Sequence, residues 1–472
     1  MLTTLISFIV LLLVLIFVHE LGHFLAAKLL GIRVEKFSLG FPPKAWSKKI
    51  GDTEYQLAWL PLGGYVALFG ESPDKEVAPE ERKFSFSHKP LWVRAIVVAA
   101  GPLFNVIFAI FALWLVNFSV GSQHLAPIVG PVDPAGPAYR AGLLSEDVVL
   151  SVNKEPVKFF TDIQTAVGEG AGQSVQLTIQ RGQRTLDLTI KPEREEWTNP
   201  LGDNIQSWNL GFDPRTRPII DEVMEGKPAE LAGILAGDLV LSVDGKATPD
   251  WTDLTRIIRG SDQVTKVDGE TIHQEPQAME VKVERAGVVR TFTVKPILEA
   301  VYEADGQTGF APLLGLKPRL ELLREPLGLF GSLGAGLTET WVVTKMTVKT
   351  FIRLFQNKIS VKVLGGPLMI AEVAGKKARE GLMDYIWVMA IISVNLAIIN
   401  LVPLPVLDGG QLFFFLIEGL RRRPLSLKFR EVCQWVGITA MVALMVLVFY
   451  NDIHRWVSRW SGPSVSQIQT GQ

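Results

Sequence analysis

The chain has 472 residues, 48% of them hydrophobic, and sets 47 Lys and Arg against 48 Asp and Glu for a net charge of −1. That length exceeds one core and suggests about three units, while the charge balance leaves no basic footprint for nucleic acid. The lone Cys433 excludes an intramolecular disulfide, and the apolar content favours a membrane protein with polar modules over a soluble enzyme.

Residues 1–30 are expected to form a first transmembrane helix, since Leu2–Leu29 is long enough to cross a hydrocarbon core of roughly 30 Å. No basic n-region precedes it, so it is read as retained and not as a cleaved signal peptide. It contains His19-Glu20-Leu21-Gly22-His23. Two histidines four apart project from one helix face. They suit two imidazole ligands of one Zn²⁺, with Glu20 placed to accept a proton from metal-bound water. The plainer alternative is a surface His pair beside an unrelated Glu. It conflicts with the hydrocarbon of residues 6–18, where ionisable groups are costly unless they serve a site.

Residues 31–90 read as a cytoplasmic loop carrying a membrane-associated β-hairpin. Its strands are residues 55–60 and 65–69, separated by Pro61-Leu62-Gly63-Gly64. The edge formed by Tyr65, Val66, Ala67 and Leu68 is suited to pairing with an extended substrate strand; a plain surface turn is the alternative. A second transmembrane helix is expected at 91–117, and residues 118–200 and 201–300 form two related modules. An amphipathic helix follows at 320–360. A third transmembrane helix is expected at 383–408, a cytoplasmic connection at 409–431, a fourth transmembrane helix at 432–452 and a tail at 453–472. Lys and Arg crowd the connections between the first two spans (Lys28 to Arg94) and the last two (Arg421 to Arg430). Both connections are therefore cytoplasmic, and both termini and the central region lie outside. Lys376, Lys377 and Arg379 run against this rule and are outnumbered.

The central region is duplicated. Pro137-Ala138-Tyr139-Arg140-Ala141-Gly142 and the segment through Val152 recur 91 positions later, from Pro228 to Val243. Each copy reads as a short helix stopped by Gly, a turn and a strand. Hairpins turning near Gly182 and Gly287 recur at an offset of 104, which leaves 13 extra residues in the second copy, assigned to the polar stretch 261–277. Phe330, Leu333, Leu337, Trp341, Val348, Ile352 and Phe355 form the apolar stripe of the amphipathic helix, suited to the membrane interface or to packing on the modules.

Two His ligands leave a tetrahedral set incomplete. The best third candidate is Asp408, in Asn400-Leu401-Val402-Pro403-Leu404-Pro405-Val406-Leu407-Asp408-Gly409-Gly410. A carboxylate at that depth is costly unless paired or metal-bound, and Pro403 and Pro405 break the helix where broken backbone must line a cavity or be buried in protein. Asp408 as a cap for the following helix is the alternative.

The module pattern Pro-Ala-x-x-Ala-Gly-Leu/Ile-Leu-x-Gly-Asp-x-Val resembles circularly permuted PDZ domains of bacterial envelope proteases; the first copy departs, with Glu146 where Gly is usual. HELGH with NLVPLPVLDGG resembles the site-2 protease family of intramembrane zinc metalloproteases. Two tandem PDZ modules narrow this to its bacterial regulator of sigma-E type. Gly101-Pro102-Leu103-Phe104-Asn105 and Gly365-Gly366-Pro367 also look like family segments. The resemblance implies a multi-pass α-helical membrane protein of four transmembrane helices, with two PDZ domains outside the membrane. It implies Zn²⁺ held by His19, His23 and Asp408, Glu20 as catalytic base, and Asn400, Pro403 and Pro405 lining the substrate path. The implied setting is the bacterial inner membrane, with periplasmic PDZ domains and an active site towards the cytoplasm. The implied substrates are single-span anti-sigma factors, cleaved after a first external cut, and signal-peptide remnants. Against this stand a non-catalytic PDZ adaptor and, more weakly, a zinc transporter.

Overall fold

The computed structural model describes residues 2–71, 77–198, 204–261, 264–267, 270–273, 276–302, 308–356, 365–423 and 425–461. In chain order, helices α1 (Leu2–Leu29) and α2 (Leu91–Val120) flank strands β1 (Val34–Ile50) and β2 (Thr53–Leu68). Helices α3 (Pro137–Arg140) and α4 (Phe160–Glu169) belong to the first repeat, α5 (Pro228–Leu231) and α6 (Trp251–Arg259) to the second. Then come α7 (Leu329–Phe355), α8 (Pro367–Glu380), α9 (Leu382–Asn400), α10 (Asp408–Arg421) and α11 (Leu427–Ser461). The chain divides into two units, one of Met1–Gly121 with Pro326–Val457, the other mainly Ser122–Glu325.

In the first unit, four helices among the described residues are long and apolar enough to cross a membrane: α1, α2, α9 and the Lys428–Ile453 part of α11. Their apolar residues do not segregate to the inside. Leu5, Ile6 and Val10 on α1, and Trp435, Val436 and Val446 on α11, are exposed, as expected of helices that are hydrophobic all round. The tail expected at 453–472 begins inside α11, and residues 462–472 lie outside the described residues. Helix α9 stops at Asn400, short of the span expected to 408, because Pro403 and Pro405 supply no backbone donors to continue it.

The amphipathic helix α7 packs on α2 with its small residues, not its apolar stripe. Ser332, Gly336 and Thr340 are buried, and a Cβ on Gly336 would lie 2.9 Å from the Trp114 backbone nitrogen. Phe330, Trp341, Ile352 and Phe355 face outward. Small residues admit close backbone approach where no hydrophobic drive separates protein from lipid. Asn117 Nδ2 donates to Glu339 Oε1 (3.2 Å) and Thr347 Oγ1 to Asn395 Oδ1 (2.7 Å), adding polar ties to α2 and α9.

Strand pairing between α1 and α2 differs from the expected hairpin. Residues 55–60 and 65–69 do not pair with each other; β1 passes between them. Phe37 and Ser38 face Tyr55 and Gln56 on one side and Val66 and Tyr65 on the other. The tight turn lies instead at Gly51 (φ +61) and Asp52, after which Lys48 pairs with Tyr55 and Ile50 with Thr53. Pro42, Pro43 and a run of lysines hide β1 from a periodicity reading, since proline lacks a ladder donor.

The second unit holds two sheets of the same order. In the first repeat, Glu155–Pro156, Val148–Val152, Val175–Arg181 and Arg184–Ile190 lie side by side; in the second, Lys246–Ala247, Leu239–Val243, Met279–Arg285 and Val288–Val294 do so. Each has its own core, with Leu143, Val149, Leu177 and Ile179 buried in one and Ile234, Val240, Val281 and Val283 in the other. Arg181 grips Asp147 through Nε and Nη2 (2.8 and 2.7 Å) and Arg285 grips Asp238 the same way (2.6 and 2.7 Å). Burial raises the Asp238 carboxyl, but hydrogen bonds from Arg285 and the Leu235 N–H overcome it, leaving the group below its ordinary pKa. Glu146 adopts φ +74 where the second copy has Gly237 at φ +92, so the turn is kept without glycine; the Glu146 carboxylate accepts from Arg215 (2.8 Å). The extra residues of the second copy lie between α6 and Met279. They include the strands Val264–Val267 and Glu270–His273, while 262–263, 268–269 and 274–275 lie outside the described residues.

Candidate metal centre

The HELGH segment lies in the second half of α1, and its two histidines meet one carboxylate from a distant part of the chain. His19 Nε2 is 3.3 Å from His23 Nε2, and Asp408 Oδ2 is 3.2 Å from the first and 3.5 Å from the second. Side-chain exposure is 13% for each histidine and 16% for Asp408, so the cluster is largely withdrawn from solvent.

Close approach of α1 and α2 makes this possible. A Cβ on Gly22 would collide with the Ala100 carbonyl oxygen, and one on Gly101 with His23 Nε2, while lying 2.9 Å from His19 Cε1. The imidazoles therefore fill the space that a side chain at 101 would take. His23 Nδ1 sits 2.9 Å from the Val97 carbonyl oxygen. A carbonyl only accepts, so Nδ1 carries the proton and the Nε2 lone pair faces the cluster.

Asp408 is the first residue of α10. Between α9 and α10 the chain turns tightly: Leu404 N–H donates to Val402 O (2.7 Å), Leu407 to Leu404 (2.8 Å) and Gly410 to Leu407 (3.0 Å). Added Cβ atoms would collide with the Leu401 carbonyl at Gly409 and the Leu404 carbonyl at Gly410. Only glycine pairs the turn with a helix start at this distance.

The donor set fits a tetrahedral cation. Asp408 Oδ2 is buried without a hydrogen-bond donor, and it faces a His23 nitrogen that carries no proton. Such acceptors repel unless a cation stands among them. Metal–ligand bonds of about 2.0–2.2 Å place tetrahedral donors about 3.3–3.6 Å apart, close to the 3.2–3.5 Å that separates these three atoms. Imidazole and carboxylate are the ligands of catalytic zinc sites that keep a fourth position open.

Glu20, one residue on from His19, is 8% exposed. A Cβ on Gly64 of β2 would lie 2.9 Å from Glu20 Cγ, so the strand runs directly beside this carboxylate. Asn400, at the end of α9, has its Nδ2 3.5 Å from both ring nitrogens of His19. Pro403 and Pro405 lie in the turn that leads to Asp408. Tyr65 donates to Gln56 Oε1 (3.4 Å), and Val66 packs in the cluster of Ala27, Val34 and Leu68. Sequence reasoning gave no site role to Gly101, the Val97 carbonyl or Asn105. Asn105 is fully buried, with its amide nitrogen 3.2 Å from His19 Nδ1 and its backbone carbonyl accepting from Ser393 Oγ (2.8 Å). The available signal was an amide in the middle of an apolar span, four residues after a glycine.

The family description "Peptidase family M50" matches residues 7–444. The regulator of sigma-E protease RseP of Salmonella typhimurium is 34% identical over 464 residues, covering 95% of this chain and 98% of that protein. Its Escherichia coli K12 counterpart is 34% identical over 463 residues with the same coverage. Protease RseP of Yersinia pestis is 33% identical over 463 residues, again covering 95% and 98%. Matched along nearly its whole length, and with three metal-type ligands converging beside a buried glutamate, the chain belongs to peptidase family M50.

Proposed function

We propose that this chain is an intramembrane zinc metalloendopeptidase that cuts single-span membrane proteins. The observation that carries the reading is the convergence of His19, His23 and Asp408 next to Glu20, on helices apolar enough to cross a membrane. His19, His23 and Asp408 would hold a zinc ion, which when bound would supply a water of near-neutral pKa and polarise a carbonyl. The Glu20 carboxylate would take the proton of the attacking water and return it to the leaving amine nitrogen. His23, locked by the Val97 carbonyl, keeps its Nε2 lone pair for the metal.

A transmembrane helix hides its peptide bonds in its own hydrogen bonds, so the substrate must be extended before cleavage. Residues 64–68 of β2 pair with β1 on one side, and no other strand pairs with their second side among the described residues. That edge, at Tyr65, Val66, Ala67 and Leu68, receives the unwound substrate as an added strand beside Glu20. Asn400 holds freed backbone groups with an amide that both donates and accepts. The turn around Pro403 and Pro405 lines the path.

The setting is a bacterial inner membrane, with the basic connections in the cytoplasm and the metal centre towards that side. The two repeats are circularly permuted PDZ domains in the periplasm, which exclude substrates that still carry a large external domain. The substrates are membrane anchors of the anti-sigma-factor kind, trimmed first outside, and signal-peptide remnants. These readings rest on the charge pattern, on the duplicated sheets and on relatives named as regulators of sigma-E.

The test pairs the parent with Glu20→Gln on a single-span substrate already trimmed on its outer side. Cleavage should fall by at least about 100-fold, with zinc content unchanged. Cleavage by both proteins would refute the mechanism.

A further inference from the structure

The two histidines are supported differently on their far side. His23 Nδ1 faces a backbone carbonyl, which admits one tautomer only. His19 Nδ1 faces the side-chain amide of Asn105, whose Nδ2 lies 3.2 Å away while its Oδ1 is buried with no partner. An amide is nearly symmetric in shape, so its oxygen and nitrogen exchange places by rotation of one bond. In the orientation with Nδ2 against the ring, His19 accepts at Nδ1, which leaves the ring proton to Nε2, the atom that faces the ligand cluster. In the exchanged orientation, Oδ1 accepts from Nδ1–H and the Nε2 lone pair is released.

We propose that Asn105 is the positioning residue of the metal centre: its amide oxygen accepts the Nδ1 proton of His19 and selects the tautomer that binds the ion. The inference rests on the zinc reading above and extends it to a residue that touches neither metal nor substrate. Three features of the fold favour it. Asn105 is fully buried in the middle of a largely apolar helix, where an idle amide is costly. Its backbone carbonyl accepts from the Ser393 hydroxyl of α9 (2.8 Å), which ties this part of α2 to α9 beside the ring. Asn400 reaches the same ring only at 3.5 Å from both nitrogens, too long to set a tautomer. The consequence is an asymmetric site. The His23 tautomer is set by the α2 backbone, whereas the His19 tautomer is set by a side chain.

Substitution separates this from a packing role. Asn105→Asp keeps the shape and leaves only acceptors facing Nδ1; Asn105→Leu keeps the bulk and removes the acceptor. Zinc affinity of the full chain in detergent, measured by chelator competition, should fall ten- to a hundred-fold in Asn105→Leu. In Asn105→Asp it should stay within about threefold of the parent or tighten, because a carboxylate is the common partner of a metal-bound imidazole. Thermal unfolding of the metal-free proteins reports whether each variant is folded. Equal zinc affinity in the parent and the Leu variant overturns the proposal, and so does an Asp variant that is folded but as weak as Leu. A parent that binds no zinc overturns the metal centre itself, a distinct result.

Discussion

On the α1–α2 wall of the metal centre, Gly22 and Gly101 let two long helices touch backbone to backbone, and the histidines occupy the room that a side chain would fill. On the α9–α10 wall, Gly409 and Gly410 let one stretch of chain fold back on itself, so that Asp408 begins a helix a few residues after the previous one ends. The first wall is a contact between distant elements and holds two ligands together with Glu20. The second is a local turn and holds one. Damage to the first should therefore remove the site, whereas damage to the second should weaken it.

Gly101→Ala is the strongest test of that difference. The added methyl group lands on His23 Nε2 and within 2.9 Å of His19 Cε1, so both rings must move or the helices must part. A displacement near 1 Å costs about 100-fold in a positioned reaction. Cleavage of a trimmed single-span substrate should fall by at least that factor, and zinc should be lost on dialysis. A variant that keeps its zinc and its rate would mean that α1 and α2 yield freely.

The sequence showed the two motifs because each is local. His19 and His23 are one helical turn apart, and Asp408 stands out as a carboxylate at the end of an apolar span. The duplication was legible for a similar reason, since Phe160 and Trp251 start equivalent helices at the offset of 91 read from the repeat. The groups that join elements were not legible. The segment Gly101 to Asn105 stands out in the apolar run of α2, but its sequence does not say that Gly101 is the floor beneath two imidazoles or that Asn105 is the partner of His19. Strand β1 was hidden because its alternation is broken by two prolines and its outer end is rich in lysine. The stripe of α7 suited either the membrane interface or packing on the modules, because hydrophobicity alone does not say whether a helix meets protein or lipid, and the structure leaves it facing outward.

Gly410→Ala addresses the second wall. Its methyl group would meet the Leu404 carbonyl, which cannot retreat without opening the turn between α9 and α10. Overpacking of this kind costs about 1–3 kcal/mol, and the strain falls on the placement of Asp408. Zinc affinity should drop about tenfold, with the histidine pair still able to retain some metal. Complete loss of zinc, equal to that in Gly101→Ala, would erase the distinction between the walls.

The smallest effect is expected where the walls are joined. Ser393 of α9 is fully buried and donates to the Asn105 carbonyl of α2 (2.8 Å), a cross-tie between the helix that precedes Asp408 and the helix that seats the histidines. Ser393→Ala removes that donor but leaves the Asn105 carbonyl to its own helix, so no acceptor is orphaned outright. The cost should be about 1 kcal/mol in thermal unfolding, with zinc affinity changed by less than about threefold. If zinc affinity instead fell as far as in Gly410→Ala, the two walls would act as one body and the hydroxyl would be the joint that couples them. A variant of unchanged stability and affinity would leave α2 and α9 held by packing alone, through Ala109, Leu113, Ala390 and Val394 of their shared core.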